Sequence, residues 1–248
     1  MKFEDIDAIV RGLVGIPADR GRMLYDFVVE HRPASVLELG FCHGKSTCYM
    51  AAALDEIGAG RITTVDREEA KSREPTIGEL LDKSGLGSYV DVHFEPTSYT
   101  WFLKKDIESA TVDGRTVPKY DFCFIDGAHS WEVDGLAFFL TDKLLEVGGW
   151  LLLDDYGWSY ATSSALKDTE AVRAMPCDER EEPQVASVYE LLVKQHPGYA
   201  DFSVDRDTWA WARKVDASVA PAVRIERRVE SPMAALTRSF RRLRNGSP

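Results

Sequence analysis

Short apolar runs alternate with longer amphipathic segments along most of this chain, and the two patterns predict different elements. Apolar runs bounded by glycine, proline or acidic residues are typical of buried strands, whereas apolar residues at helical spacing indicate helices packed on a sheet. The predicted strands lie at residues 36–39, 62–65, 89–94, 120–125 and 150–153. The predicted helices between them lie at residues 48–57, within 68–86, and at 99–110 and 131–145. This alternation predicts an α/β fold with a doubly wound, mostly parallel sheet.

The ends of the chain and one internal stretch depart from this alternation. Residues 1–33 predict one or two helices ahead of the sheet. A helix at 185–195 and an antiparallel strand pair at 200–204 and 208–215 would complete a seven-stranded sheet. Residues 156–185 are irregular, and we interpret them as a lid over a pocket, with a disordered loop as the alternative. The predicted units are an N-terminal helical segment (1–33), a main domain (34–215) and a C-terminal tail (216–248).

Composition narrows the class of protein. The chain has 248 residues, of which 44% are hydrophobic, and this suffices for one α/β domain with a full core. The formal net charge of −11 at pH 7 disfavours nucleic acid as a partner. The four cysteines form no Cys-x-x-Cys pair, which favours reduced thiols over a disulfide framework or a zinc site. No leader pattern follows Met1, and the apolar runs are too short to span a membrane, so we expect a cytoplasmic protein.

The tail differs in charge from the rest of the chain. Residues 216–248 contain seven arginines and three acidic residues. Residues 234–243 have the pattern of a basic amphipathic helix, which would suit a protein partner, a neighbouring subunit or an anionic surface. A solvated, partly disordered tail is the favoured interpretation. A homo-oligomer is left open by the sequence.

A glycine-containing turn follows the first predicted strand. Gly40 permits a sharp turn, and Gly44 removes a Cβ where the next helix and a ligand would come close. The start of that helix offers free backbone N–H groups. Glycines that serve packing alone are the alternative.

The second predicted strand ends in Asp66, where a carboxylate can accept hydrogen bonds from both hydroxyls of a ribose. Cys42 occupies the middle position of the turn, so the glycine fingerprint for a dinucleotide is incomplete. An adenosine ligand without phosphates therefore fits better. Ser98 or Glu95, after the third strand, would bond the base, and an ordinary helix cap is the alternative there.

Acidic residues also end the next two predicted strands. Asp126 follows one of them, and Asp154 and Asp155 follow the other. Carboxylates that meet at one edge of a sheet either raise one another's pKa or hold a cation, and oxygen ligands suit Mg²⁺. His129 lies three residues beyond Asp126, and an imidazole can take a proton from a hydroxyl at neutral pH. Helix caps, an Asp-Gly turn and a helix-entry histidine are the alternatives.

Together these motifs resemble class I S-adenosylmethionine-dependent methyltransferases, and within them the metal-dependent type of small-molecule and sugar O-methyltransferases. The resemblance covers roughly residues 20–215 and is carried by residues 38–44, Asp66, residues 125–132, the Gly148-Gly149 pair and residues 154–156. It implies that Gly40 and Gly44 line the methionine end of the cofactor and that Asp66 binds its ribose. It also implies that Asp126, Asp154 and Asp155 hold Mg²⁺. Catechol-type members carry a catalytic lysine at the position of His129.

We therefore expect an O-methyltransferase that moves a methyl group from S-adenosylmethionine to a hydroxyl of a small molecule, either a sugar, a glycoside or a phenol. The expected catalytic residues are His129 and Asp126, and Tyr156, Trp158 and Tyr160 would form a wall against the acceptor, with plain packing as the alternative. The residues assigned to cofactor binding are Glu38, Gly40, Phe41, Gly44, Ser46, Asp66, Ser98 and Asp126. The alternatives are a metal-independent methyltransferase, an NAD(P)-dependent oxidoreductase and a non-catalytic cofactor-binding scaffold.

Overall fold

The computed structural model of the protein describes residues 1–218. The basic helix predicted at 234–243, like most of the tail, lies outside the described residues. The strands in chain order are β1 (Ser35–Leu39), β2 (Arg61–Arg67), β3 (Val90–Glu95), β4 (Thr111–Val112), β5 (Arg115–Thr116), β6 (Tyr120–Ile125), β7 (Leu145–Leu153), β8 (Tyr199–Asp205) and β9 (Trp209–Lys214).

Seven of these strands form one sheet in the order β3-β2-β1-β6-β7-β9-β8, and β4 pairs with β5 as a separate small hairpin. The first five strands of that order are parallel, whereas β9 runs antiparallel to both β7 and β8. The predicted doubly wound, seven-stranded sheet with a C-terminal antiparallel pair is confirmed. The strand order reverses its direction between β1 and β6, which is the place where such sheets bind ligands.

Helices cover both faces of the sheet. The helices are α1 (Phe3–Val10), α2 (Ala18–His31), α3 (Lys45–Ile57), α4 (Ile77–Ser84), α5 (Tyr99–Ser109), α6 (Trp131–Asp142), α7 (Glu170–Ala174), α8 (Cys177–Glu181) and α9 (Gln184–Val188), followed by a π-helical turn at Tyr189–Val193. One core packs α1 to α4 on one face of the sheet, and a second core packs α5, α6 and α9 on the other. Alternate residues of β1 face opposite cores, since Val36 lies in the first core and Leu37 in the second.

The structure shifts several predicted boundaries. The helix predicted at 131–145 ends at Asp142, and β7 begins at Leu145, before the Gly148-Gly149 pair. Gly148, with a φ of +92°, lies within this strand. Residues 156–185, predicted as a lid, contain the short helices α7 and α8 and the first residues of α9, separated by irregular backbone. All four cysteines lie in the described part of the chain as free thiols. Within residues 1–218, no helix combines the length and the apolar character needed to cross a membrane.

Close packing of α2 on α3 makes one glycine indispensable. A Cβ on Gly21 would collide with the ring of Tyr49, which is fully buried and stacks on Phe3. We predict that Gly21→Ala lowers the free energy of unfolding by about 1–3 kcal/mol, because overpacking outweighs the gain in helix propensity. Gly12→Ala is the control, since no atom lies within 4 Å of its added Cβ. Equal melting temperatures for the two variants would contradict this packing.

Candidate active site

A cavity of about 730 Å³ opens along the carboxyl ends of the parallel strands, at the point where the strand order reverses. The N-terminal end of β9 reaches the same edge of the sheet, because this strand runs antiparallel. The predicted residues that line the cavity are Gly40, Asp66, Ser98, Asp126, His129, Asp154 and Asp155. Four other predicted residues lie outside its wall: Glu38, Phe41, Gly44 and Ser46.

At both glycines of the turn, a side chain would collide with a neighbouring part of the protein. Gly40 has a φ of +91°, and an added Cβ would collide with the carbonyl oxygen of Asp126 and lie 2.7 Å from the Cα of Gly127. Gly44 has a φ of +92°, and its added Cβ would lie 2.7 Å from Cγ1 of Ile77 in α4. Gly40 therefore lets β1 and β6 end side by side at the cavity. The space expected for a ligand beside Gly44 is occupied by Ile77.

Asp66 fastens the end of β2 to this turn. Its Oδ2 accepts hydrogen bonds from the backbone N–H of Phe41 at 3.1 Å and of Cys42 at 2.7 Å. The guanidinium of Arg73 donates to the same oxygen at 3.2 Å. The N–H of Arg67 donates to Oδ1 at 2.6 Å, so Oδ1 retains the greater capacity to accept a ribose hydroxyl. Arg73 thus shares Oδ2 with the backbone of the turn.

Glu38 lies beneath the turn and not on the cavity wall, which differs from its predicted contact with a cofactor. Its carboxylate is fully buried and accepts hydrogen bonds from the hydroxyls of Ser46, Thr47 and Thr64. Burial raises the pKa of Glu38 to about 7. These bonds join β1, α3 and β2, so Glu38 and Ser46 support the turn from below.

A pair of carboxyl groups occupies the ends of β6 and β7. Burial raises the pKa of Asp126 well above its usual range, and the neighbouring charge of Asp154 raises it further. Burial and the charge of Asp155 likewise raise the pKa of Asp154. The strand ends thus concentrate negative charge that needs a proton or a cation.

His129 lies among these carboxyl groups. Its Nε2 is 3.5 Å from Oδ2 of Asp155 and 3.9 Å from Oδ1 of Asp126. His129, Asp155 and Cys42 all have left-handed backbone, with φ of +53°, +58° and +53°. Such backbone is unfavourable for residues other than glycine and tends to occur at functional sites, where the surrounding structure holds it in place.

The donor set at this edge suits a divalent cation, although its present spacing does not form a complete cage. Asp126, Asp154 and Asp155 offer carboxylate oxygens, the ligands that Mg²⁺ prefers, and the mutual repulsion of these groups would fall on binding a cation. In the part of the chain that the structure describes, however, no three His, Cys, Asp or Glu side chains are arranged to hold a metal ion. The chemistry fits the predicted ion, and its presence is a proposal.

The opposite end of the cavity holds the predicted adenine contact. Ser98 lines the cavity and also caps α5, since its Oγ accepts from the N–H of Thr100 at 3.2 Å. Both interpretations of Ser98 are therefore compatible with the structure. Glu95 is buried, bonded to Lys105 and absent from the wall.

Several residues of the cavity wall were not predicted from the sequence. Arg20 and Trp209 reach the cavity from α2 and from the start of β9, and Arg67 and Arg73 flank Asp66. Tyr99 supports the backbone between Asp126 and His129, because its hydroxyl accepts from the N–H of Ala128 and donates to Asp134. Of these, only Trp209 could have been predicted from the sequence. It lies at the start of the predicted antiparallel strand, and such a strand begins at the edge of the sheet where the parallel strands end.

The three aromatic residues predicted to face an acceptor have different surroundings. Tyr156 packs on Tyr189 and bonds Glu190 at 3.1 Å, so it serves packing. The ring of Trp158 lies 5.6 Å from that of His129, and Tyr160 packs on Trp158 edge to face. Only Trp158 is therefore next to a predicted catalytic residue.

Comparison with known proteins agrees with this arrangement. Residues 37–156 match the family model described as a methyltransferase domain, a range that includes Gly40, Asp66, Asp126, His129 and Asp155. Residues 37–156 are therefore similar in sequence to a methyltransferase domain. The predicted resemblance to class I methyltransferases is confirmed.

Solved structures show that the chain shares its fold with O-methyltransferases. The O-methyltransferase TomG from Streptomyces achromogenes, involved in tomaymycin synthesis and in complex with SAM, is 18% identical with a TM-score of 0.57, over 86% of this chain and 89% of TomG. The SAH-bound methyltransferase PaMTH1 from Podospora anserina has the same identity and TM-score, over 86% of each chain. An O-methyltransferase from Bacillus cereus in complex with SAH is 19% identical with a TM-score of 0.56, over 86% and 90%.

Glu38 provides a test of how the turn is supported. We predict that Glu38→Ala lowers the free energy of unfolding by about 3 kcal/mol, because it leaves buried hydroxyls without their acceptor. Since the folded-state pKa of about 7 exceeds the value of 4.5 for a free glutamate, the folded chain retains a proton that the unfolded chain loses. The stability of the wild type should therefore decrease as the pH rises from 4.5 to 7.

Glu38→Gln is the matched control, because it keeps the shape and cannot ionise. Urea unfolding of the three proteins at pH 4.5, 6 and 7.5 measures both effects. A Glu38→Gln variant that retains the full pH dependence of the wild type would show that another group causes it.

Proposed function

We propose that this protein is an S-adenosylmethionine-dependent O-methyltransferase that acts on a hydroxyl of a small molecule, with the help of a divalent cation. One observation carries the proposal: a single cavity joins Asp66 and Ser98 to the group formed by Asp126, His129 and Asp155. A cofactor at one end and an acceptor hydroxyl at the other would thus share one space. Its volume of about 730 Å³ is typical of small-molecule sites.

The end of the cavity next to Asp66 suits an adenosyl group. Asp66 offers its Oδ1 to the ribose, and Ser98 lies where a base would extend beyond β3. The acidic residues of the wall favour a cationic sulfonium. The bound cofactor would supply a methyl group that a nucleophilic oxygen can take in a single displacement.

The other end suits the acceptor. Ile16, Pro17 and Trp209 give the cavity wall an apolar part, and Thr208 adds a hydroxyl, and we assign these residues to the acceptor. Three neighbouring aspartates disfavour an anionic acceptor, so we propose a neutral sugar, glycoside or phenol. The wall would hold the acceptor in line with the methyl carbon and keep water away.

His129 is the proposed general base. Its Nε2 lies beside Asp155, and a carboxylate in that position orients the imidazole and stabilises the imidazolium that forms when a proton is taken from the acceptor hydroxyl. Asp126, Asp154 and Asp155 would hold the divalent cation, which would lower the pKa of that hydroxyl. We also propose a cytoplasmic location, because the free thiols suit a reducing compartment.

Cofactor binding tests the first half of this proposal. We predict that S-adenosylmethionine raises the melting temperature of the wild type and that NAD does not. Asp66→Ala should raise the Kd for S-adenosylmethionine about tenfold or more, because a hydrogen bond to a charged group contributes about 1.5–3 kcal/mol. Arg73→Ala is the control for this end of the cavity: Arg73 bonds Oδ2 and not the Oδ1 offered to the ribose, so binding should change little. Isothermal calorimetry gives each Kd, and stabilisation by NAD alone would overturn the proposal.

Methyl transfer to a panel of hydroxylated sugars and phenols tests the second half. We predict that Asp154→Asn and Asp155→Ala lower kcat about 100-fold or more while the Kd for S-adenosylmethionine changes little, because these residues act at the acceptor end. Excess EDTA should abolish turnover, and added Mg²⁺ should restore it. Undiminished activity in EDTA would remove the cation from the proposal and leave His129 to act without it.

A further inference from the structure

The 205–208 loop, which we define from the last residue of β8 to the residue before β9, lies at the edge of the cavity. It begins with Asp205 and ends with Thr208, which lines the cavity together with Trp209. No predicted catalytic residue belongs to it. Its contacts nevertheless reach the backbone next to Asp155.

Two backbone hydrogen bonds attach the segment after Asp155 to this loop. The N–H of Tyr156 donates to the carbonyl of Thr208 at 2.9 Å, and the N–H of Gly157 donates to the carbonyl of Asp207 at 2.8 Å. The contact is close, since a Cβ on Gly157 would lie 2.8 Å from that carbonyl oxygen of Asp207. The loop therefore fixes the backbone that immediately follows Asp155.

Asp155 needs such support. Its φ of +58° lies in the left-handed region, which costs a residue other than glycine about 1–2 kcal/mol and persists only where neighbours hold it. Its carboxylate lies 3.5 Å from Nε2 of His129. A change in the backbone at Asp155 would separate these two groups.

The loop is itself held by α2. The guanidinium of Arg20, which is only 5% exposed, pairs with the carboxylate of Asp205 and also donates to the carbonyl oxygen of Asp205 at 3.4 Å. The same guanidinium lies 5.1 Å from the ring centroid of Trp209. Since removal of one partner would leave a buried charge unpaired, this pair resists separation.

We propose that Asp205 is a positioning residue: paired with Arg20, it sets the 205–208 loop, which in turn holds Asp155 beside His129. The chain of contacts is visible in the structure, whereas its effect on turnover rests on the proposed function. Asp205 and Arg20 thus act on the acceptor end of the cavity through the backbone, at a distance from the cofactor end.

Two variants test the proposal in the full-length protein. Asp205→Asn removes the charge that pairs with Arg20, and Gly157→Ala forces the loop away from the 155–158 segment without changing a polar group. We expect both to accelerate hydrogen exchange of the Tyr156 and Gly157 amides about tenfold or more. We also expect both to lower kcat by about ten- to a hundredfold, with little change in the KM for S-adenosylmethionine.

Matched controls are Asp19→Asn and Gly12→Ala. Asp19 is an exposed carboxylate that pairs with Arg206 of the same loop at 3.5 Å, and a Cβ on Gly12 would meet no atom within 4 Å. Both controls should exchange and turn over like the wild type. If the exchange of the Tyr156 and Gly157 amides is unchanged in Asp205→Asn and Gly157→Ala, the positioning role is wrong, whatever the activity.

Faster exchange with an unchanged kcat would also overturn the role of the loop in the reaction. A kcat that falls only together with the affinity for S-adenosylmethionine would indicate general loss of structure and would likewise overturn it. If the wild type transfers no methyl group to any acceptor, the proposed function fails by itself, and hydrogen exchange still decides whether Asp205 holds the backbone at Asp155.

Discussion

Two carboxyl groups meet at the ends of neighbouring parallel strands, and their repulsion is the constraint around which the site is arranged. Burial and the neighbouring charge of Asp154 raise the pKa of Asp126, and burial together with the charge of Asp155 raises the pKa of Asp154, so this edge favours a proton or a cation. The two carboxyl groups lie near each other because β6 and β7 are parallel and end at the same edge of the sheet. A sheet that places acids at adjacent strand ends therefore creates a place for positive charge.

Around this edge of the sheet, several residues of the site have backbone conformations that are energetically unfavourable and need support from their neighbours. Gly40 allows β1 to end against β6, and His129 and Asp155 adopt left-handed backbone close to the two acids. Tyr99 holds the turn before His129, and the 205–208 loop holds the segment after Asp155. The strain is thus distributed over contacts from both faces of the sheet, which is typical of sites whose geometry has to be fixed before a ligand arrives.

The sequence predicted the residues whose position follows from a local pattern. Asp66, Asp126 and Asp154 each end a strand, and the ends of parallel strands share one edge, so their place at the cavity could be inferred without coordinates. Glu38 lies inside β1, one residue before its end, and faces away from the cavity, towards the hydroxyls of Thr47 and Thr64. Adjacent residues of a strand point to opposite sides, and the pattern alone did not show which side the cavity would occupy.

By itself, the amino-acid sequence determined the α/β class, the mostly parallel sheet and the acidic strand ends, because these depend on hydrophobic periodicity and on the residue that follows each apolar run. Only the tertiary structure decided that Arg20, from the N-terminal helices, pairs with Asp205, from the last strand pair, at the edge of the cavity. The physical reason is that such contacts join residues far apart in the chain. Whether they come into contact depends on how whole helices and strands pack together, and the local spacing of residues in the sequence does not contain that information.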